Sequence, residues 1–167
     1  MGVIITSLIV ASIDLPLLLR GLSLPPEPSH LAQENAVRIA AAEAADAGAV
    51  ATFTGLVRGD DGVTELALEH YPGATEAALL KVAERAVARW SLSAAIIVHR
   101  VGPMHPGERI VFVAATAVHR GAALEACAYL IDRLKTDAPF WKRETRGAAS
   151  SWVEARDHDH AAAARWE

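Results

Sequence analysis

The sequence predicts an α+β fold, with one antiparallel or mixed sheet and helices packed on one side of it. Three observations carry that prediction. Short β-branched runs such as "AAIIVHRVG" and "RIVFVAATAV" have the length and residue types of strands. Two longer stretches repeat their apolar residues at helical spacing: Leu79, Val82, Ala83, Ala86 and Trp90 in one, Ala123, Cys127, Leu130 and Leu134 in the other. Strands and helices interleave without the regular rhythm of a doubly wound parallel sheet. With 167 residues, 52% of them hydrophobic and 22% charged, the chain suffices for one folding unit with a proper core, residues 1–167.

The N-terminal "MGVIITSLIVASIDLPLLLRGL" is the most apolar segment. No Lys or Arg precedes the apolar run, Asp14 interrupts it, and it falls short of a ~20-residue membrane span. It reads as a buried strand followed by a turn. "SLPPEPSH" carries three prolines and is a loop, after which Ser29 is placed to cap a helix from Leu31 to Ala47 that Gly48 ends. "AVATFTGLV" and "VTELALEH" read as two strands joined by a tight, exposed "RGDDG" loop. A Pro-Gly turn opens the helix that closes at Trp90, and "PMHPGE" connects the two strands that follow. The second helix begins near Gly121 and stops at Asp137-Ala138-Pro139, because the residue before proline disfavours the α region. "FWKRET" and "SWVEA" are short strands around a Gly147 turn, and "RDHDHAAAARWE" is a mobile charged tail.

Several function classes lose ground at once. A net charge of −4 and a pI near 6.0 give no support to general nucleic-acid binding. The single cysteine, Cys127, rules out an internal disulfide or a four-cysteine metal site and fits a reducing cytoplasm. Its place on the apolar face of the second helix makes it a small core residue rather than a nucleophile. There is no GxGxxG, Walker loop or GxSxG elbow. Of the seven histidines, only His158 and His160 lie close enough in sequence to suggest a metal, and they sit in the tail.

What stands out is basic chemistry. Thirteen of the 16 cations are arginine; only Lys81, Lys135 and Lys142 are lysine, and two of these flank Pro139 in "LKTDAPFWKRE". Between Arg133 and Arg146, five basic residues face two acids, a local +3 in an acidic chain. Clustered cations disfavour one another's charged form, the setting in which a lysine supplies a neutral amine or a proton near pH 7. His119 and Arg120 fall where a strand meets a helix N-terminus, whose free N–H groups favour phosphate or carboxylate. His99 and Arg100, adjacent in a strand, point to opposite faces, so one of them at most joins a given site. Arg58 stands at the lip of the exposed turn.

These phrases together resemble the large, catalytic subunit family of molybdopterin synthase. "GAVATFTGLVR", "LALEHYPGATE", "VHRVG", "PGERIVFVAATAVHR", "EACAYLIDRLKTDAPFWKRE" and "WVEAR" occur in order between Gly48 and Arg156. The turn after Arg58 is shorter than usual for the family, and Ala74 stands where methionine is common. The resemblance implies an α/β-hammerhead fold with a small antiparallel subdomain. It also implies a homodimer of large subunits within a heterotetramer, each bound to a small ubiquitin-like partner with a C-terminal Gly-Gly thiocarboxylate. The implied reaction moves two sulfurs from that tail to cyclic pyranopterin monophosphate, forming a dithiolene, with no cofactor beyond the partner's sulfur. By matching position, Lys135 and Lys142 are the implied catalytic residues; Arg58, His119, Arg120 and Arg156 bind the substrate, Arg156 from across the dimer. The alternative is a non-catalytic subunit that binds an anionic pterin or a protein C-terminus.

Overall fold

The computed structural model describes residues 6–11, 47–153 and 157–167. In chain order the elements are β1 (Thr6–Ala11), β2 (Ala49–Leu56), a 3-10 turn (Asp60–Gly62), β3 (Glu65–His70) and α1 (Ala74–Trp90). There follow β4 (Ala94–Arg100), β5 (Gly102–Met104), β6 (Arg109–Ala117), α2 (Arg120–Asp137), β7 (Phe140–Arg146), β8 (Ala149–Val153) and α3 (Asp157–Ala164). The strands form two four-stranded sheets, ordered β1-β4-β6-β2 and β5-β3-β7-β8, and every pairing is antiparallel.

The helical spacing in the sequence becomes the face that α1 and α2 turn to the first sheet. Leu79, Val82, Ala83 and Ala86 of α1 meet Ala123, Ala126, Leu130 and Leu134 of α2 above Ala95, Ile97, Val113 and Ala115. The alanines on all three surfaces allow close approach at interior packing density. β4 reads as a continuous apolar run because its other face is buried too, where Ala94, Ile96 and Val98 join Phe112 and Ala114. α2 ends at Ala138, which is extended before Pro139 as the sequence requires. β7 and β8 form the expected hairpin, with Gly147 at φ +59 in its turn. The fold class is thus α+β, and a larger layered unit carries a smaller antiparallel sheet.

Three expectations are corrected. There are two sheets rather than one, and β2 and β3 are not partners. β2 pairs with β6, whereas β3 pairs with β5 and β7. The chain changes sheet at Val57, whose N–H donates to the Glu108 carbonyl while its own carbonyl accepts from Gly107, and whose side chain joins Leu66, Leu68 and Met104 in a second core. The expected "PMHPGE" connection contributes Pro103 and Met104 to β5, and Pro103 is tolerated there because β5 is an edge strand. The tail is the third correction. Residues 157–164 are helical, and the following Trp166 sets its ring edge-on to Trp90 and Tyr129, with centroids at 5.8 and 5.7 Å. Its indole N–H donates to Asp132 at 2.8 Å, and Arg89 donates to its carbonyl at 2.7 Å. The helix expected from Leu31 to Ala47 falls on residues outside the described set, apart from Ala47.

Candidate active site

Where the two sheets part, a cleft of about 580 Å³ opens between the end of the first sheet and the inner face of the second. Lys135, Lys142 and Arg58 all line it. Pro139 makes the convergence possible. It ends α2 within one turn of the buried Leu134 and two turns of the buried Leu130, which fix the helix, and redirects the backbone into β7. Lys135 therefore projects from a helix end and Lys142 from a strand.

Alternation along β7 places Phe140, Lys142, Glu144 and Arg146 on the cleft side, all of them lining residues. Trp141 faces away and is half exposed. Lys142 sits between Leu68 of β3 and Val153 of β8 across the ladder. Glu144 is buried; one of its oxygens lies 3.5 Å from the Lys142 amine and the other accepts from Arg146 at 2.6 Å. Arg146 also donates to the Asp61 carbonyl at 3.2 Å, tying the turn after Arg58 to β7. The Lys135 amine donates to Asp159 of α3 at 2.9 Å. Each lysine of the cleft therefore has a carboxylate beside it.

Asp137 anchors the helix end that presents Lys135. Burial opposes its charge, but hydrogen bonds from Arg85 and Thr136 and the nearby Arg133 hold its carboxyl below the usual range. Arg85 comes from α1, so the Asp137 pair pins α2 to its neighbour. Arg58 is more loosely held, 63% exposed with its Nε 3.4 Å from Asp60, and can swing toward an anion.

His119 and Arg120 lie elsewhere. Both are exposed at the start of α2, with His119 as an extended N-cap that makes no side-chain capping bond. Fifteen residues of helix separate Arg120 from Lys135, about 22 Å at the α-helical rise. They form an anion-favouring helix entry that does not line the cleft of the same chain. Arg156 is outside the described residues. His160 is exposed, the His158 side chain is not among those described, and the described residues hold no cluster of three His, Cys, Asp or Glu placed for a metal. Cys127 is buried in the core, and burial pushes its thiol up to about 11, which makes it inert.

Two residues that line the cleft, Glu144 and Asp159, are not among those singled out from the sequence, and His99 lines it with them. The alternating "KRETR" already placed Glu144 on the Lys142 face. Asp159 had no comparable signal, since its approach depends on how Trp166 docks. Of the pair His99-Arg100, it is His99 that reaches the cleft; Arg100 instead donates to the Arg109 carbonyl at 3.1 Å. Burial drives the His99 ring down to about 4, against the opposing effect of its bond to the Arg100 carbonyl. The ring is neutral at pH 7, with Nδ1–H donating to that carbonyl at 2.9 Å. In the unfolded chain it takes up a proton near pH 6.5. Between those two values the unfolded state binds more protons, so stability falls as pH is lowered from about 6.5 to about 4, by about 3 kcal/mol across the window. Urea titrations at pH 7 and pH 5 are expected to differ less for His99→Phe than for the parent; an equal difference in both would exclude His99 as the source.

Residues 27–137 match the family described as MoaE protein. The chain is 53% identical over 122 residues to the molybdopterin synthase catalytic subunit of Yersinia pestis, covering 71% of this chain and 81% of that protein. To the subunit of the same name from Vibrio cholerae it is 47% identical over 148 residues, covering 87% and 97%. Its fold matches the solved structure of the molybdopterin biosynthesis MoaE protein from Burkholderia ambifaria with a TM-score of 0.69 at 47% identity, covering 83% of this chain and 90% of that one. A family match over this much of the chain, with identities near one half, settles the relationship: the chain belongs to the MoaE family.

Proposed function

We propose that this chain is the catalytic, sulfur-transferring subunit of molybdopterin synthase. In this reading a small ubiquitin-like partner places its C-terminal thiocarboxylate in the cleft beside Lys135 and Lys142. Each of two transfers exchanges the sulfur of one tail for an oxygen of cyclic pyranopterin monophosphate and returns the tail as a carboxylate. No oxidant or reductant is needed, and sulfur is supplied by the partner, which accords with a lone cysteine that is buried. The observation that carries the reading is the convergence of two amines from different elements on one cleft.

Lys135 is the acid/base or nucleophilic amine. It is half exposed and reaches the cleft from a firmly held helix end. Lys142, held between the Glu144 carboxylate and the apolar flank of Leu68 and Val153, orients substrate and stabilises developing negative charge. Arg58 binds the phosphate from the turn. His119 and Arg120, about 22 Å along the helix from Lys135, serve the cleft of a second copy in a homodimer, where Arg156 also contributes. Guanidinium suits phosphate by its bidentate geometry, which is why these positions need no lysine. The assembly is then a heterotetramer in the cytoplasm. Among the described residues no helix is long and apolar enough to cross a membrane.

The test follows the partner's tail. Mass spectrometry of a thiocarboxylated small partner, incubated with this chain and the pterin substrate, is expected to show sulfur-for-oxygen exchange that requires all three components. Exchange at the same rate without this chain would defeat the proposal.

A further inference from the structure

One ring stack joins the two sheets. His99, near the end of β4 in the first sheet, lies face to face with Phe140, the first residue of β7 in the second, with centroids 4.3 Å apart and planes 23° from parallel. Among the described residues this is the one ring contact that joins the sheets, and both rings line the cleft. Phe140 precedes Lys142 by two residues on the same strand face. The Nδ1–H bond to the Arg100 carbonyl fixes how the imidazole is turned about its own axis.

We propose that His99 is a positioning residue for Lys142: by holding Phe140 across the gap between the sheets, it sets where β7 presents its amine in the cleft. A flat ring is required to stack, and the N–H keyed to a backbone carbonyl gives that ring one orientation. Burial keeps it neutral, so it adds no charge to a wall that already carries Lys135, Lys142 and Arg58. Without the stack the start of β7 keeps its apolar packing on the two cores and the Thr75 hydroxyl bond to the Pro139 carbonyl at 3.1 Å, and loses the one contact that orients the Phe140 ring against β4. A shift of about 1 Å at a catalytic group costs on the order of 100-fold in rate.

Two variants separate the ring from its bond. His99→Leu fills the space without stacking, and His99→Phe stacks but loses the donor. The kinetic arm rests on the sulfur-transfer reading above. There, His99→Leu is expected to lower kcat about 10- to 100-fold with KM for the pterin substrate little changed, while His99→Phe recovers most of the rate. Phe140→Leu should act in the same direction, and the double variant should be no slower than the slower single one. Independent, multiplying losses, or a kcat for His99→Leu within about twofold of the parent, would overturn the proposal. Should His99→Leu fail to fold, Phe140→Leu against His99→Phe decides in the same way: the first slow and the second near parental supports it, and any other order overturns it.

A second arm needs no turnover. Reductive methylation of Lys142, followed by peptide mass spectrometry with the exposed Lys81 as internal reference, reports how Lys142 is held. Its rate relative to Lys81 is expected to rise in His99→Leu and Phe140→Leu and to stay parental in His99→Phe; an unchanged ratio in the first two rejects the positioning role. If the parent yields no product, the sulfur-transfer reading fails, and this arm still decides the role of His99.

Discussion

Replacing Lys135 with alanine is expected to lower product formation by about 10²- to 10⁴-fold, the range attributable to a positioned acid or base. Folding and partner binding should stay close to those of the parent. The basis is local: Lys135 is half exposed, its bond to Asp159 is a single ion pair near the surface, and Leu134 beside it supplies the packing that holds the helix end. An exposed pair of that kind contributes about 0–1 kcal/mol, so thermal unfolding should barely move. A subunit that merely binds a pterin or a protein C-terminus predicts the opposite pattern, with turnover by the complex indifferent to the amine. Arginine at this position should not rescue, because guanidinium neither gives up its proton near neutral pH nor acts as a nucleophile.

Glu144→Ala is expected to harm both stability and rate. Glu144 is the buried acceptor shared by Lys142 and Arg146, at 3.5 and 2.6 Å, and Arg146 in turn holds the turn at Asp61. Removing one member of a buried pair costs about 3–5 kcal/mol. Here both cations retain partial exposure, 34% and 39%, and water can rehydrate them, which lowers the expected loss to about 1–3 kcal/mol. The rate should fall further than stability explains, because Lys142 loses the group that orients it and the turn bearing Arg58 loses its tether. Denaturant unfolding alongside kcat separates the two effects. A variant with parental stability and parental kcat would show that Glu144 is a bystander.

The site's principal residues were legible in the sequence because their placement is local. Proline after Lys135 dictates a helix stop, and alternation after it dictates which of "FWKRETR" face the same way, so two amines on different elements follow from short-range rules. The split into two sheets was not legible. β3 pairs with β7, whose sequence lies some seventy residues on, and no turn or periodicity in "VTELALEH" names that partner over β2. The docking of the C-terminal helix was hidden for the same reason: Trp166 has meaning only beside Trp90, Tyr129 and Asp132, which three separate segments bring together. His99 shows the limit most clearly, since strand alternation allowed one member of "HR" into the site but only the meeting of two sheets selects which.

Catalysis of sulfur transfer by the two amines of this cleft is tested by reconstituting this chain with a thiocarboxylated small partner and cyclic pyranopterin monophosphate, following molybdopterin as its fluorescent oxidation product. The parent is expected to give product that is lost in Lys135→Ala while the complex with the partner still forms. Absence of product with an authentic partner, or equal product from both proteins, would contradict it.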